Sequence, residues 1–203
     1  MHLAPSDPIA GVILAGGLSR RMGGGDKCRV VLGGQSLLAH VKARLSPQCA
    51  ALALNANGDP ARFADTGLPV IADSIADRPG PLAGILAGLD WAHAQGFTRI
   101  VTAAADTPFL PLDLVAALSN APGSGPIRLA ASTDGALHPV FGIWPTDLRD
   151  QLRRDISVGA RKVRAWAEAQ GALKVANWGE EAFFNINTPE DLEAARIRAR
   201  SGR

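Results

Sequence analysis

The sequence predicts an α/β fold, with a mainly parallel sheet and helices on both faces. Short apolar runs at 9–15, 51–55, 69–72 and 99–105 alternate with helical stretches, the pattern of consecutive βαβ units. Each run ends at a glycine or a polar residue: Gly16, Asn55, Asp73 and Asp106. The chain of 203 residues, 47% hydrophobic and 20% charged, is long enough to bury a substantial core in one domain. In open α/β sheets ligands sit beyond the carboxyl ends of the strands, so these four positions are expected to meet along one rim.

The elements follow in order. Ile9 to Ala15 is an apolar run closed by glycines, which reads as a buried strand. Gly16 to Lys27, GGLSRRMGGGDK, holds five glycines and three basic residues in twelve positions, a density of glycine that favours a loop. Ser36 is placed to cap a helix running to about Arg44, with Leu37, Leu38, Val41 and Leu45 on one face. A strand at Ala51–Asn55 closes on the turn-forming Asn55-Ala-Asn-Gly58. Another follows at Pro69–Ala72. Pro81 suits the first turn of a helix to Ala94, stopped near Gly96. Arg99–Ala105 reads as a strand and Pro111–Ser119 as a helix. Ile127–Ser132 and Pro139–Trp144 are strands so close in sequence that an antiparallel pair is expected. Helical stretches at 146–155 and 160–170 precede a short strand near 174–178. Thr188-Pro-Glu-Asp191 then carries the capping-box signature of a last helix.

Several function classes are disfavoured. A net charge of +2 gives no field suited to nucleic acid or a membrane surface, and the arginines at 196, 198, 200 and 203 read as a solvated helix end. No apolar run reaches the ~20 residues of a membrane span, and the first eight residues do not resemble a signal peptide. A cytoplasmic protein is expected. Cys28 and Cys49 form no CxxC pair and are expected to be reduced and inert. The four histidines show no metal-ligand spacing, and there is no GxSxG.

What remains is phosphate chemistry. A glycine-rich loop after a first strand can turn its backbone N–H groups toward an anion, and Arg20, Arg21 and Lys27 add charge to it. The loop fits neither GxxxxGK[ST], since Cys28 follows Lys27, nor GxGxxG. Asp106, at the end of a strand, is a natural Mg²⁺ ligand, because Mg²⁺ takes few carboxylates and shares its other positions between water and phosphate. Locally, Asp106 also reads as the cap of a turn. Phosphoryl-type transfer asks for alignment and charge stabilisation, and a phosphate nucleophile is already ionised at pH 7, so an obvious catalytic histidine is not required.

The stretch Leu14-Ala-Gly-Gly-Leu-Ser-Arg-Arg-Met-Gly-Gly-Gly-Asp-Lys27 resembles the signature of the molybdenum cofactor guanylyltransferases. The likeness continues at Asn55-Ala-Asn57, at 72–77, at Pro79-Gly-Pro-Leu-Ala-Gly84, at Ala105-Asp-Thr-Pro108, at His138-Pro139 and at Phe184-Asn-Ile-Asn-Thr-Pro-Glu-Asp191. The resemblance implies a Rossmann-like, three-layer nucleotidyltransferase fold in a single domain, with 1–110 binding nucleotide and 111–203 mainly binding the acceptor. It implies transfer of GMP from Mg-GTP to the phosphate of Mo-molybdopterin, giving the guanine dinucleotide cofactor and pyrophosphate, by a monomer that makes transient contact with molybdoenzymes or their chaperones. The catalytic set it implies is Lys27, Asp106 and Arg21, with Asp106 holding Mg²⁺. Leu14, Ala15, Gly16, Gly17, Lys27, Asn55, Asp73 and Asp106 match nucleotide contacts. Gly80, Gly84, Arg161, Asn185 and Asn187 match the acceptor side, although Asn185 and Asn187 also read as a polar approach to a helix, Gly80 and Gly84 as close packing, and Arg161 as a solvated face. The double glycine at 16–17 favours the guanylyl branch over a cytidylyltransferase acting on molybdopterin. A sugar-phosphate nucleotidyltransferase and a non-catalytic nucleotide-binding module stay open as readings of the same motifs.

Overall fold

A computed structural model describes residues 7–16, 26–75 and 80–200. In chain order its strands and helices are β1 (Ala10–Leu14), β2 (Val31–Leu32), β3 (Gln35–Ser36), α1 (Leu37–Leu45), β4 (Ala51–Asn55), β5 (Val70–Ile71), α2 (Pro81–Ala94) and β6 (Arg99–Ala104). Then come α3 (Leu114–Asn120), β7 (Arg128–Ser132), β8 (Leu137–Pro145), α4 (Arg149–Ser157), α5 (Val163–Ala169), β9 (Leu173–Trp178) and α6 (Pro189–Arg200). A seven-stranded sheet has the order β5-β4-β1-β6-β8-β7-β9. Within this sheet only β8 runs against its neighbours; β1 pairs in parallel with β4 and β6, and β9 in parallel with β7.

The three layers follow from alternation along the strands. On β1, Ala10 and Val12 face a core built with α2, α4 and α5, while Ile13 faces a second core built with α1 and α3. Helix α2 is apolar nearly all round because it lies against the sheet; Leu82, Ile85, Leu86 and Leu89 are buried. Gly88 lets it come close, since a methyl there would stand 2.8 Å from Val12 Cγ2. Trp144 on β8 is fully buried, and its Nε1 donates to Thr102 Oγ1 at 2.8 Å, which in turn donates to Val140 O at 2.6 Å. That chain satisfies both buried polar groups.

The expected antiparallel excursion is present as β7 and β8, with a bulge between Leu129 and Ala130. Pro139 lies in the skipped part of β8. A proline cannot donate to a ladder and is tolerated in a central strand at a bulge. The strand predicted at 69–72 is only Val70–Ile71, and the helix predicted from Pro111 starts at Leu114. Its first turn is held by tertiary structure: Gln48 Oε1 accepts from Val115 N–H at 2.9 Å, and Gln48 Nε2 donates to Pro111 O at 2.9 Å. The hairpin of β2 and β3 was not anticipated. Gly33 and Gly34 form its turn with φ of 57° and 86°, the left-handed pair that a two-residue hairpin turn requires. Among the described residues no helix is long and apolar enough to cross a membrane.

Candidate active site

The carboxyl ends of β1, β4, β5 and β6 open on a cavity of about 650 Å³. Gly16, Lys27, Asn55, Asp73 and Asp106 all line it, so the strand-end residues named from the sequence do meet along one rim. The backbone brings them there: Ala15 N–H donates to Asn55 O at 2.9 Å, and Ala105 N–H donates to Leu14 O at 3.0 Å, each one residue past its strand. Leu14, Ala15 and Gly80 also face the space.

Two polar clusters line the cavity. In one, the Lys27 ammonium pairs with the Asp106 carboxylate and donates to Asn187 Oδ1. Lys27 and Asp106 side chains are 14% and 21% exposed, enough for a ligand to reach them. The bond to Asn187 joins residues 160 positions apart, and beside it Thr107 Oγ1 donates to Asn185 Oδ1. In the other, Asp73 accepts from Asn55 Nδ2 at 3.0 Å and from Asn57 Nδ2 at 2.7 Å, while Asn57 Oδ1 accepts from Asp73 N–H at 2.9 Å. That reciprocal pair fixes the orientation of the Asp73 carboxylate. In the sequence Asn57 stands out only through the resemblance.

A third group was not legible at all. Arg62 lines the cavity and donates to both oxygens of Asp26 at 2.7 and 3.0 Å. Arg29 forks onto Asp65 at 2.6 Å, and both guanidinium carbons lie 5.1 Å from the Phe63 ring centroid. Phe63 is fully buried. These contacts tie the chain around Lys27 to the 60–66 turn, and no spacing in the sequence announces them.

A family model for the MobA-like NTP transferase domain matches residues 11–174. A molybdenum cofactor guanylyltransferase of Bradyrhizobium sp. (strain ORS 278) is 50% identical over 211 aligned residues, with 100% of this chain and 99% of the relative covered. One of Mesorhizobium japonicum is 50% identical, with 93% and 95% covered. This chain belongs to the molybdenum cofactor guanylyltransferase family. It is a nucleotidyltransferase. The molybdopterin-guanine dinucleotide biosynthesis protein A of Archaeoglobus fulgidus shares the fold, with a TM-score of 0.73 at 24% identity over 95% of this chain and 100% of the other.

The remaining residues expected from this family are placed as follows. Gly17 and Arg21 lie outside the described residues. Gly84 is buried in α2, where a methyl would collide with the Asn55 amide and stand 3.0 Å from Leu14 Cδ2; it packs beneath the rim and does not line the cavity. Arg161 is also outside the cavity lining, with its guanidinium donating to the carbonyls of Ile156 and Ala160 at 3.1 and 2.7 Å. His138 stacks on Phe183 with ring centroids 4.2 Å apart, its Nε2 2.5 Å from Ser132 Oγ. Burial holds it below the usual histidine pKa, against the pull of Asp134 and Glu180.

Asp106 fits a single-carboxylate seat for a divalent cation. No group of three or more His, Cys, Asp or Glu side chains that could cage a metal is present among the described residues. Mg²⁺ is held by one or two carboxylates plus substrate phosphates, and one partly exposed aspartate at the cavity rim offers such a carboxylate.

Proposed function

We propose that this chain transfers GMP from Mg-GTP to the terminal phosphate of Mo-molybdopterin, forming the guanine dinucleotide cofactor and releasing pyrophosphate. The observation that carries the proposal is the meeting of Lys27 and Asp106 at the rim of a cavity walled by the backbone of 14–16. Family membership supplies the substrate class.

The triphosphate lies along the backbone of Leu14, Ala15 and Gly16; for Gly17 and Arg21 a phosphate-binding role rests on the family motif alone. The base occupies the part of the cavity lined by Asn55 and Asp73. When bound, the divalent cation, Mg²⁺ in this reading, neutralises charge on the triphosphate. Asp106 is its protein ligand. Lys27 stabilises negative charge that builds on the phosphates in the transition state. An oxygen of the acceptor phosphate forms a new bond to the α-phosphorus as the bond from that phosphorus to the β-bridging oxygen breaks. The electron pair leaves with pyrophosphate, and no proton need move first. In this reading Asn185, Asn187 and Gly80 serve the acceptor; apart from Gly80, residues 1–110 mainly serve the nucleotide and 111–203 mainly the acceptor. Gly84 contributes indirectly, by packing against Asn55, and Arg161, exposed and outside the cavity lining, is given no part in the transfer.

The direct test is Asp106→Ala. With GTP, Mg²⁺ and Mo-molybdopterin, pyrophosphate release falls by about 100-fold or more, the scale of losing one preorganised electrostatic group, while the denaturation midpoint stays near that of the parent. Full activity in the variant would remove Asp106 as the metal ligand. Competition among GTP, CTP, ATP and UTP in the same assay separates guanylyl from cytidylyl transfer, and a preference for CTP would favour the second branch.

A further inference from the structure

The loop after β6 and the segment before α6 lie side by side at the rim. Ile186 N–H donates to Asp106 O at 3.0 Å, and the Ile186 side chain is buried in the small core of Leu32, Leu37 and Ala195. On either side of it Asn185 and Asn187 are both exposed, and so turn away from that core. Each gives its amide oxygen to a protein donor: Asn187 to the Lys27 ammonium, Asn185 to the Thr107 hydroxyl. Asn185 also lines the cavity.

Thr107 has no exposed surface. A buried hydroxyl is costly unless it is hydrogen-bonded, and Asn185 Oδ1 is the acceptor it uses. A carboxamide has one acceptor end and one donor end. Tying the oxygen to a buried donor leaves the N–H₂ group directed elsewhere, and no described residue takes it up. A phosphate oxygen needs donors; a carbonyl oxygen turned toward it would repel it. The hydroxyl therefore selects which end of the Asn185 amide an anion meets.

We propose that Thr107 is a positioning residue for the acceptor: it holds Asn185 Oδ1 so that Asn185 Nδ2 donates to the acceptor's phosphate. The inference rests on the transfer reading above and names which group recognises the acceptor and what orients it. Without the hydroxyl the amide turns freely, and its donor end faces the cavity only part of the time.

The test compares Thr107→Val, which keeps the shape, with Thr107→Ser, which keeps the hydroxyl. In the pyrophosphate assay, Thr107→Val raises KM for Mo-molybdopterin about tenfold, the scale of one hydrogen bond to a charged group, and leaves KM for GTP unchanged. Thr107→Ser restores the parent KM. In an Asn185→Ala background Thr107→Val adds nothing further, because the two side chains act as one unit. An unchanged acceptor KM in Thr107→Val, an equal rise in KM for GTP, or no rescue by serine overturns the proposal. A second readout needs no turnover. Inorganic phosphate titrated into ¹⁵N-labelled protein should shift the Asn185 side-chain N–H₂ signals in the parent and much less in Thr107→Val. A phosphate-dependent shift without pyrophosphate release sinks only the transfer reading; no shift in the parent sinks the role given to Asn185 and Thr107.

Discussion

A lysine ammonium is a compact charge on a flexible stem, so Lys27 can hold Asp106 and Asn187 in one arrangement and still swing toward a phosphate in another. The pair is largely shielded, and desolvation of both charges offsets much of its Coulombic gain, so it is worth more to the site than to the fold. The cysteines show the opposite balance. Desolvation, with the Asp26 carboxylate adding to it, pushes the Cys28 thiol up to about 11, and burial pushes Cys49 up to about 12. The folded chain therefore favours neutral thiols. Below the ordinary value of 9.0 both states keep their protons and that stabilisation is fully present. Between pH 9 and about 11 the unfolded chain ionises first, so stability is lost as pH rises. Urea midpoints followed from about pH 8 to 11 should fall less steeply in Cys28→Ala/Cys49→Ala than in the parent. Parallel pH profiles would mean that neither thiol is shielded. The reading of Cys28 as inert agrees with this burial.

Helix α2 carries two glycines on the sheet side, and they separate packing from function. At Gly88 an added methyl meets Val12 and Ile100, both in the core. At Gly84 it meets Asn55, whose amide holds Asp73 at the cavity. Each alanine costs about 1–3 kcal/mol through overpacking, offset by up to about 1 kcal/mol of helix propensity. Only Gly84→Ala should also raise KM for GTP; Gly88→Ala should leave it unchanged. Equal effects of the two variants on KM would show that Asn55 does not transmit the clash. Both ends of α2 were legible from Pro81 and Gly96, and β4 from its apolar run closing at Asn55, because those boundaries are set by local residues. The start of α3 was not, because Gln48, 67 positions away, holds its first turn. The 60–66 turn was missed for a related reason: Phe63 is its one buried residue, covered by Arg29 and Arg62, whose ion pairs with Asp65 and Asp26 join it to the chain around Lys27. Thr188 and Asp191 do form the capping box read from the sequence, with bonds of 2.9 and 3.2 Å. Its consequence was not legible, since Asp191 also accepts from Asn187 N–H at 2.8 Å and so fixes the residue that Lys27 reaches.

At the scale of the whole molecule, the rule that ligands sit beyond the carboxyl ends of parallel strands was sufficient to place one rim from sequence. It could not show that the chain, after adding β7, β8 and β9 on the far side of β6, returns residues 185–187 to the end of β6. The cavity thus has walls from both halves of the chain, with Asn185 lining it alongside Lys27 and Asn55. A ligand that spans those walls should bind the folded state alone and stabilise it by mass action. At about one hundred times its dissociation constant, Mg-GTP contributes about 2.7 kcal/mol, which for a domain of this size raises Tm by roughly 5–10 °C. Thermal scans with each nucleoside triphosphate, with and without Mg²⁺, check this. GTP should give the largest shift, Mg²⁺ should add to it in the parent, and Asp106→Ala should lose the Mg²⁺-dependent part while retaining the remainder, because the backbone of 14–16 and the Asn55–Asp73 cluster are untouched. A Mg²⁺-dependent increment that survives Asp106→Ala would move the cation's ligand elsewhere on the rim. No shift with any nucleotide would leave the cavity without the occupant assigned to it.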